Sequence, residues 1–186
     1  MAKQRSSKER RIYMIRPSTE EDRPRVSNNS LDFDLMPIGL LREPLKKKWK
    51  PPRWTCEHPD ALEWDFFLDY GTPGILSQRA VDALRPYSAD YFEYLLLTIN
   101  GAPYYFIRIA KYLDCFDRER STGVFEDDEV HTIDKFEFRM EAIPIDSFFC
   151  IKERFSGPFG TDAVVDTIRR HKLKGFRIRD TATEEF

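Results

Sequence analysis

Two apolar segments joined by Asn100-Gly101 constrain the fold of this 186-residue chain more than any other feature. The first, Tyr91–Ile99, is apolar on both faces of a period-two pattern, which is typical of a central strand. Asn-Gly supplies the two positive φ angles of a type I′ turn, so Tyr104–Ala110 is predicted to return antiparallel. The sequence therefore predicts a buried β-hairpin at the centre of a sheet.

Patterns on either side of this hairpin predict two helices and further strands. Ser77 is expected to cap a helix that runs through Tyr87, and Thr161 or Asp162 begins a second helix with a basic last turn. Gly175 fits the positive-φ position after that helix. Further strands are predicted at Ile12–Ile15, Tyr112–Phe116, Thr132–Arg139, Phe148–Lys152 and Phe176–Arg179, with a loop at 18–30 and irregular structure at 31–54.

These elements predict a single α+β domain: a largely antiparallel sheet with a few helices packed on it. Hydrophobic residues make up 41% of the chain and aromatic residues 14%, so a sizeable core can be buried. The expected organisation is a disordered basic tail at 1–10, the domain at 11–180 and a tail at 181–186. Within the domain, 11–74 is a proline-broken, irregular lead-in and 75–180 is the core.

Cysteine usage and hydropathy indicate a cytoplasmic protein. Cys56, Cys115 and Cys150 are odd in number and widely spaced in apolar surroundings, which is typical of free thiols in a reducing compartment. The charged N-terminus lacks the apolar stretch of a signal peptide. The apolar runs are far shorter than the roughly 18 residues that cross a bilayer, so no membrane association is expected.

Charge divides the chain into a basic beginning and an acidic body. Residues 1–54 hold 14 Lys/Arg and 7 Asp/Glu, whereas residues 55–186 hold 16 and 25. The basic stretches KQRSSKERR and LKKKWKPPRW, the second with Trp49 and Trp54, suit phosphate contacts and base stacking. An acidic body repels nucleic acid, so we favour a solvated tail and anchored tryptophans over a nucleic-acid-binding module.

Residues for catalysis are sparse. There is no G-x-S-x-G elbow, and His58, His131 and His171 are interpreted as surface histidines rather than bases for a nucleophile. No catalytic residue and no cofactor are expected.

A cluster of carboxylates leaves one alternative open. Asp114, Asp117 and Glu119 are spaced as a Mg²⁺ site of a metal-dependent nuclease or hydrolase would be. Arg118 and Arg120 are interleaved, however, and favour a salt-bridged loop.

The order of several motifs resembles bacterial immunity protein family eleven, from the polymorphic toxin systems. The resemblance implies an α+β protein that binds and blocks a cognate toxin domain without catalysis, and it supplies no catalytic or toxin-contact residue to transfer. The motifs are GLLREPLKKKWKPP at 39–52, ILSQRAVDAL at Ile75–Leu84, YFEYLLLTI at Tyr91–Ile99, YYFI at Tyr104–Ile107, LDCFDRERS at Leu113–Ser121, FFCI at Phe148–Ile151 and LKGFRI at Leu173–Ile178.

An acidic surface is the hypothesis for how such a protein meets its partner. Between Asp114 and Asp146 there are 11 Asp/Glu and 4 Arg/Lys, and many toxins that attack nucleic acid are basic around the active site. A solvated loop explains the same acidic residues equally well. The residues predicted to contact the toxin are Glu126, Asp127, Asp128 and Glu129, together with Asp117 and Glu119.

Overall fold

A computed structural model describes residues 10–18, 26–28, 49–56, 63–67, 74–88, 90–126, 129–153 and 157–183. Within these residues the helices are α1 (Gln78–Ser88) and α2 (Asp162–Arg170). The strands are β1 (Ile12–Pro17), β2 (Val26–Asn28), β3 (Arg53–Cys56), β4 (Phe66–Phe67), β5 (Ile75–Ser77), β6 (Phe92–Ile99), β7 (Ala102–Ile109), β8 (Thr122–Glu126), β9 (Glu129–Lys135), β10 (Phe148–Phe149), β11 (Phe159–Thr161) and β12 (Phe176–Asp180).

The predicted central hairpin is confirmed. β6 and β7 pair antiparallel along their whole length, and the turn residues Asn100 and Gly101 have φ angles of 49° and 83°. Together they form the middle of a six-stranded sheet of order β2-β3-β6-β7-β5-β4. Among its neighbouring pairs only β3 and β6 run parallel, so the predicted α+β class with a largely antiparallel sheet is confirmed.

A second sheet, of order β10-β11-β1-β12, places the N-terminal strand between two strands from the end of the chain. β1 is suited to this position because Met14 and Ile15, which point to opposite faces, are both fully buried. On the Ile15 face, Val81 of α1 and Val164 of α2 join Ile107 of the first sheet in one apolar cluster. The two helices and the two sheets therefore share a core.

The beginnings of both helices agree with prediction. The Ser77 hydroxyl accepts a hydrogen bond from the Ala80 N–H at 3.1 Å, which caps α1. α2 begins at Asp162. The Thr161 hydroxyl does not cap α2 but accepts a hydrogen bond from the Ser147 N–H at 3.2 Å.

The end of α2 corrects the prediction for Gly175. Lys172 occupies the left-handed position, with φ 50°, and the N–H groups of Lys172 and Leu173 donate to the carbonyls of Arg169 and Ile168, each at 3.0 Å. Gly175 also has a positive φ, 84°, but a Cβ there would lie 2.2 Å from the Phe66 carbonyl oxygen. Close backbone approach, rather than helix capping, requires that glycine.

Predictions for several short strands are wrong. The 112–116 segment is not a strand: its backbone groups bond to different partners, and Phe116 forms an isolated bridge with Phe138. The predicted strand Thr132–Arg139 overlaps β9, which begins earlier and ends earlier, at Glu129 and Lys135. β10 covers only part of the predicted strand Phe148–Lys152. The strands that were not predicted are β2 in the expected loop, β3 at the end of the expected irregular segment, β5 directly before α1, and β4, β8 and β11.

Both ends of the described domain are held by hydrogen bonds. The guanidinium of Arg10 donates to the carbonyls of Ile143 at 2.9 Å and Met140 at 2.7 Å. Thr181 donates its N–H and hydroxyl to the Ile12 carbonyl at 3.1 and 2.8 Å. Of the predicted tails at 1–10 and 181–186, residues 1–9 and 184–186 lie outside the described residues. No helix in the described part is both long and apolar enough to cross a membrane.

The three thiols are free and buried. Burial raises the pKa of Cys115 from its ordinary 9.0 to about 12 and raises that of Cys150 further. Since the unfolded chain ionises Cys115 and Cys150 near pH 9 and the native chain keeps these two protonated, the free energy of unfolding should fall as pH rises above 9.

This loss should reach up to about 1.4 kcal/mol per thiol for each pH unit, measurable by urea unfolding at pH 7 and pH 10. A Cys115→Ala/Cys150→Ala variant loses packing at both pH values, but its stability should depend less on pH. An equally steep pH dependence in that variant would contradict the assignment.

Candidate functional site: an acidic lobe

Residues 114–146, here called the acidic lobe, lie against one face of the β10-β11-β1-β12 sheet. Phe136 and Phe138 pack edge-on against Phe159 of β11, with ring centroids 5.3 and 5.5 Å apart. Met14 of β1 and Ile133 of β9 belong to the same apolar cluster. The buried apolar side chains of the lobe thus pack on the sheet, whereas Asp114, Glu119, Glu126 and Asp134 are exposed.

A β-hairpin forms the projecting part of the lobe. β8 and β9 pair antiparallel with two register shifts, and Glu126 lies opposite Glu129 at the tip. Ile133 is buried and Phe125 partly buried on one face, whereas the Val124 side chain is 48% exposed on the other. The predicted acidic loop is therefore the tip of a hairpin, with strand residues on both sides.

Close strand approach accounts for the glycine in β8. A Cβ on Gly123 would lie 2.2 Å from the Thr132 carbonyl oxygen. The Thr132 hydroxyl accepts a hydrogen bond from the Val124 N–H at 3.2 Å. Glycine at 123 thus allows the two strands to approach closely, and the Thr132 hydroxyl provides a hydrogen bond where the pairing is bulged.

The predicted contact residues lie at the two ends of β8. The Glu126 side chain is 73% exposed, and its carboxylate lies 3.4 Å from Nε2 of His131. Asp117 and Glu119 lie on the turn before the strand. The length of β8, at about 3.3 Å per residue, separates this turn from Glu126 by roughly 15 Å. Asp127 and Asp128 lie outside the described residues, and the structure describes only the backbone placement of Glu129 at the start of β9.

Ion pairs occupy the carboxylates of Asp114 and Asp117. Asp114 accepts from the Arg139 guanidinium at 2.5 Å, and Asp117 accepts from the Arg120 N–H at 3.2 Å with the Arg120 guanidinium at 4.0 Å. The Arg118 guanidinium lies over the Phe125 ring, 5.3 Å from its centroid. The salt-bridged interpretation thus agrees with the structure at Asp114 and Asp117.

The geometry gives little support to a metal site or to a catalytic histidine. Within the described ranges, no group of three His, Cys, Asp or Glu side chains is placed to hold a metal ion. His171 lies at the rim of an open groove of about 690 Å³ between α1 and α2, where the Tyr87 and Thr167 hydroxyls bond at 2.8 Å. His131 is exposed in β9, and His58 lies outside the described residues.

The tryptophans of the basic segment are anchored to the first sheet. The rings of Trp49 and Trp54 lie edge-on to Phe106, with centroids 5.9 and 5.1 Å away. Trp49 Nε1 also donates to the Leu96 carbonyl at 2.6 Å. These rings form part of the fold, which favours the anchored interpretation over base stacking.

Two exposed apolar side chains in the lobe were missed by the sequence analysis. Val124 projects from the hairpin, and Ile145, 63% exposed, follows the short 3₁₀ turn Met140–Ala142. Apolar side chains surrounded by charged ones are the usual composition of a protein–protein contact. The alternation in T-G-V-F-E and E-V-H-T-I, on either side of Asp127-Asp128, is the signal that identifies the hairpin and the outward position of Val124.

A family model described as "Immunity protein family (Imm11)" matches residues 11–183 of the chain. No curated protein matches.

Proposed function

The chain belongs to the Imm11 immunity protein family, and on that premise we propose that it is a non-catalytic inhibitor that binds and neutralises a cognate bacterial toxin domain. It acts in the cytoplasm of the cell that makes the toxin. The family match over nearly the whole described domain supports this proposal. The buried free thiols are compatible with that compartment.

The acidic lobe is the surface that we assign to the toxin. The observation behind this assignment is that the exposed carboxylate of Glu126 and the exposed apolar side chain of Val124 lie on one hairpin. Val124 provides apolar area, while Glu126 and the neighbouring acidic residues provide the charge around it. An apolar centre with a polar rim is the arrangement found at protein interfaces.

Charge explains how such a lobe would inhibit. A toxin that acts on nucleic acid presents basic side chains to the phosphates of its substrate, and carboxylates can take the place of those phosphates. Opposite charges also accelerate encounter, by 10-fold to 1000-fold in favourable cases. Inhibition then requires only occupation of the toxin's substrate surface, and no bond in the toxin has to be broken.

Co-expression tests the proposed function. The partner is the C-terminal toxin domain encoded by the adjacent upstream gene, whose induction alone should arrest growth. Co-expression of the present chain should restore growth, and the purified proteins should co-elute. Continued growth arrest, with no complex detected by calorimetry, would refute the proposal for that toxin.

A titration with Mg²⁺ or Mn²⁺ separates this function from the metal-dependent hydrolase alternative. That alternative predicts binding heat that Asp117→Ala abolishes. The ion pairs of Asp114 and Asp117 argue against it, because a metal ion would have to displace Arg139 and Arg120.

A further inference from the structure

The β8-β9 hairpin has two open edges within the part of the chain that the structure describes. β8 and β9 pair with each other and with no third strand there. Each strand of an antiparallel pair directs only alternate backbone groups to its partner, so the remaining N–H and C=O groups point away from it. Each edge of the hairpin thus presents main-chain donors and acceptors that an added strand can satisfy.

The hydrogen bond of Val124 indicates which backbone groups of β8 face outward. The Val124 N–H points to β9, where it donates to the Thr132 hydroxyl at 3.2 Å. Backbone groups alternate in direction along a strand, so those of Gly123 and Phe125 point away from β9. Both residues are partly exposed. The outer edge of β8 therefore presents two N–H and two C=O groups to an incoming strand.

β8 is the regular edge of the hairpin, and β9 is the irregular one. His131 and Asp134 of β9 have no counterpart in the pairing with β8 and are its two bulged residues. Bulges, lysine and proline are the usual devices that protect an edge strand from further pairing. β9 contains both bulges and Lys135, whereas β8, with the sequence TGVFE, has no bulged residue, Lys or Pro. The β8 edge is thus the one that can accept another strand.

The edges of the other described sheets suit a basic partner less well. β2, β4 and β10 have three residues or fewer, which is short for an added strand. β12 has five residues, but Arg177 and Arg179 make it basic. β8 also has five residues, and Glu126 is its only charged side chain. It therefore combines sufficient length with a negative charge.

The exposed side chains of β8 specify what an added strand should carry. Thr122, Val124 and Glu126 are exposed and alternate with the partly buried Gly123 and Phe125, so the three lie on one face. An added strand would place its own side chains beside them, about 5 Å away. An apolar side chain fits beside Val124, and a lysine or arginine two residues along fits beside Glu126. The complementary segment is therefore extended, with an apolar and a basic residue two positions apart.

We propose that β8 receives an extended, basic segment of the toxin as an added strand, with main-chain hydrogen bonds to Gly123 and Phe125. This inference rests on the proposed function and deepens it by naming the mode of contact. Main-chain hydrogen bonds provide affinity, while Val124 and Glu126 select among segments by their side chains. The basic segment is then withdrawn from the phosphates that it would otherwise contact.

A second copy of the chain is a poorer occupant of this edge than the toxin. The acidic lobe holds 11 Asp/Glu and 4 Arg/Lys, which gives it a net charge of −7. Pairing β8 of two copies would bring two such lobes together, and their mutual repulsion opposes association. A basic segment is instead attracted by the same charge.

Amide hydrogen exchange, measured by NMR on the isotope-labelled chain, tests the proposal in the complex. Growth rescue and complex formation by wild type are established first, so a failure of the proposed function is recognised before the mode of contact is judged. On binding of the toxin domain, exchange of the Gly123 and Phe125 N–H groups should slow at least about tenfold, because the added strand bonds both. The N–H groups of β12 are the control and should exchange as in the free protein.

Three results would each overturn the proposal. A complex in which Gly123 and Phe125 exchange as fast as in the free protein would refute strand addition and leave the proposed function intact. Protection in β12 instead of β8 would place the added strand at the other edge. Protection of Gly123 and Phe125 that appears without toxin, and increases with protein concentration, would make a second copy the occupant.

Backbone ester variants separate the main chain from the side chains. Phenyllactic acid in place of Phe125 keeps the benzyl group and replaces the outward N–H by oxygen. The Kd for the toxin domain should rise about 3- to 10-fold, the usual contribution of one hydrogen bond. The matched control is the hydroxy-acid analogue of valine in place of Val124, which removes the N–H that bonds to Thr132 within the hairpin.

The two ester variants should rank in opposite orders. The ester at 125 should raise the Kd more than the ester at 124, because only the N–H of residue 125 faces the toxin. The ester at 124 should lower the melting temperature of the free protein more, because its N–H is bonded within the fold. A wild-type Kd for the ester at 125, or the same order in both measurements, would contradict strand addition at β8.

Discussion

Replacing Glu126, Asp127, Asp128 and Glu129 with lysine is expected to slow association with the cognate toxin domain by at least about tenfold in low salt. The change reverses the charge of four consecutive acidic residues, of which Glu126 carries a largely exposed carboxylate at the end of β8. Long-range attraction acts on the approach of the two proteins, so the effect should appear in the association rate more than in the dissociation rate. Stopped-flow mixing measures both.

The salt dependence of the association rate distinguishes electrostatic steering from a loss of direct contacts. At about 0.01 M ionic strength the Debye length is about 30 Å, whereas at 1 M it is about 3 Å. The difference between variant and wild type should therefore shrink steeply as salt is added. A difference that persists in high salt would indicate a loss of direct contacts rather than of steering.

A matched pair of variants locates the effect. Glu126→Lys with Asp128→Lys reverses two of the four acidic charges at 126–129, and Asp82→Lys with Asp166→Lys reverses two exposed charges on α1 and α2. The net charges of the two variants are equal. If both slow association equally, net charge alone explains the rate and the hairpin is excluded as the contact surface.

Sequence predicted the elements whose signals are local. Asn100-Gly101 specifies its own turn, and Ser77 specifies the start of α1 through a hydrogen bond within four residues. β3 and β4 have four and two residues, too few for a period to be recognised. Their strand character depends on neighbours that are distant in the chain: β3 pairs with β6 and with β2.

The site shows the same division between local and distant causes. The acidic composition of residues 114–146 is visible in the sequence, but the partner of Asp114 is Arg139, 25 residues further on. The juxtaposition of Arg16 and Arg177 was not predicted at all, because these two residues meet only through the register of β1 with β12.

Asp65 is expected to be the most sensitive polar position in the described core. The residue is buried and accepts hydrogen bonds from the Ser77 hydroxyl at 2.6 Å, from Arg79 Nη2 at 2.5 Å and from the Lys174 N–H at 2.8 Å. Ser77 caps α1, and Lys174 lies between α2 and β12. One carboxylate therefore connects the start of one helix to the segment that follows the other.

Asp65→Ala should lower the free energy of unfolding by about 3 kcal/mol. Removing one member of a buried ion pair ordinarily costs 3–5 kcal/mol, and the half-exposed Arg79 reduces that figure. The melting temperature should fall by roughly 6–12 °C for a chain of this size. Asp82→Ala is the control: it removes an exposed carboxylate bonded only to Gln78 along α1, and should cost about 0.5 kcal/mol or less.

The contribution of the Asp65–Arg79 ion pair to stability can be separated from that of the hydrogen bonds that Asp65 accepts from Ser77 and Lys174. Arg79→Ala removes only the half-exposed partner and should cost about 1 kcal/mol. The double variant, Asp65→Ala with Arg79→Ala, should lose less stability than the sum of the two single-variant losses, because both substitutions remove the same ion pair. Full additivity would show that Asp65 stabilises the protein through Ser77 and Lys174 alone. The carboxylate would then act as a link between the two helices rather than as half of an ion pair.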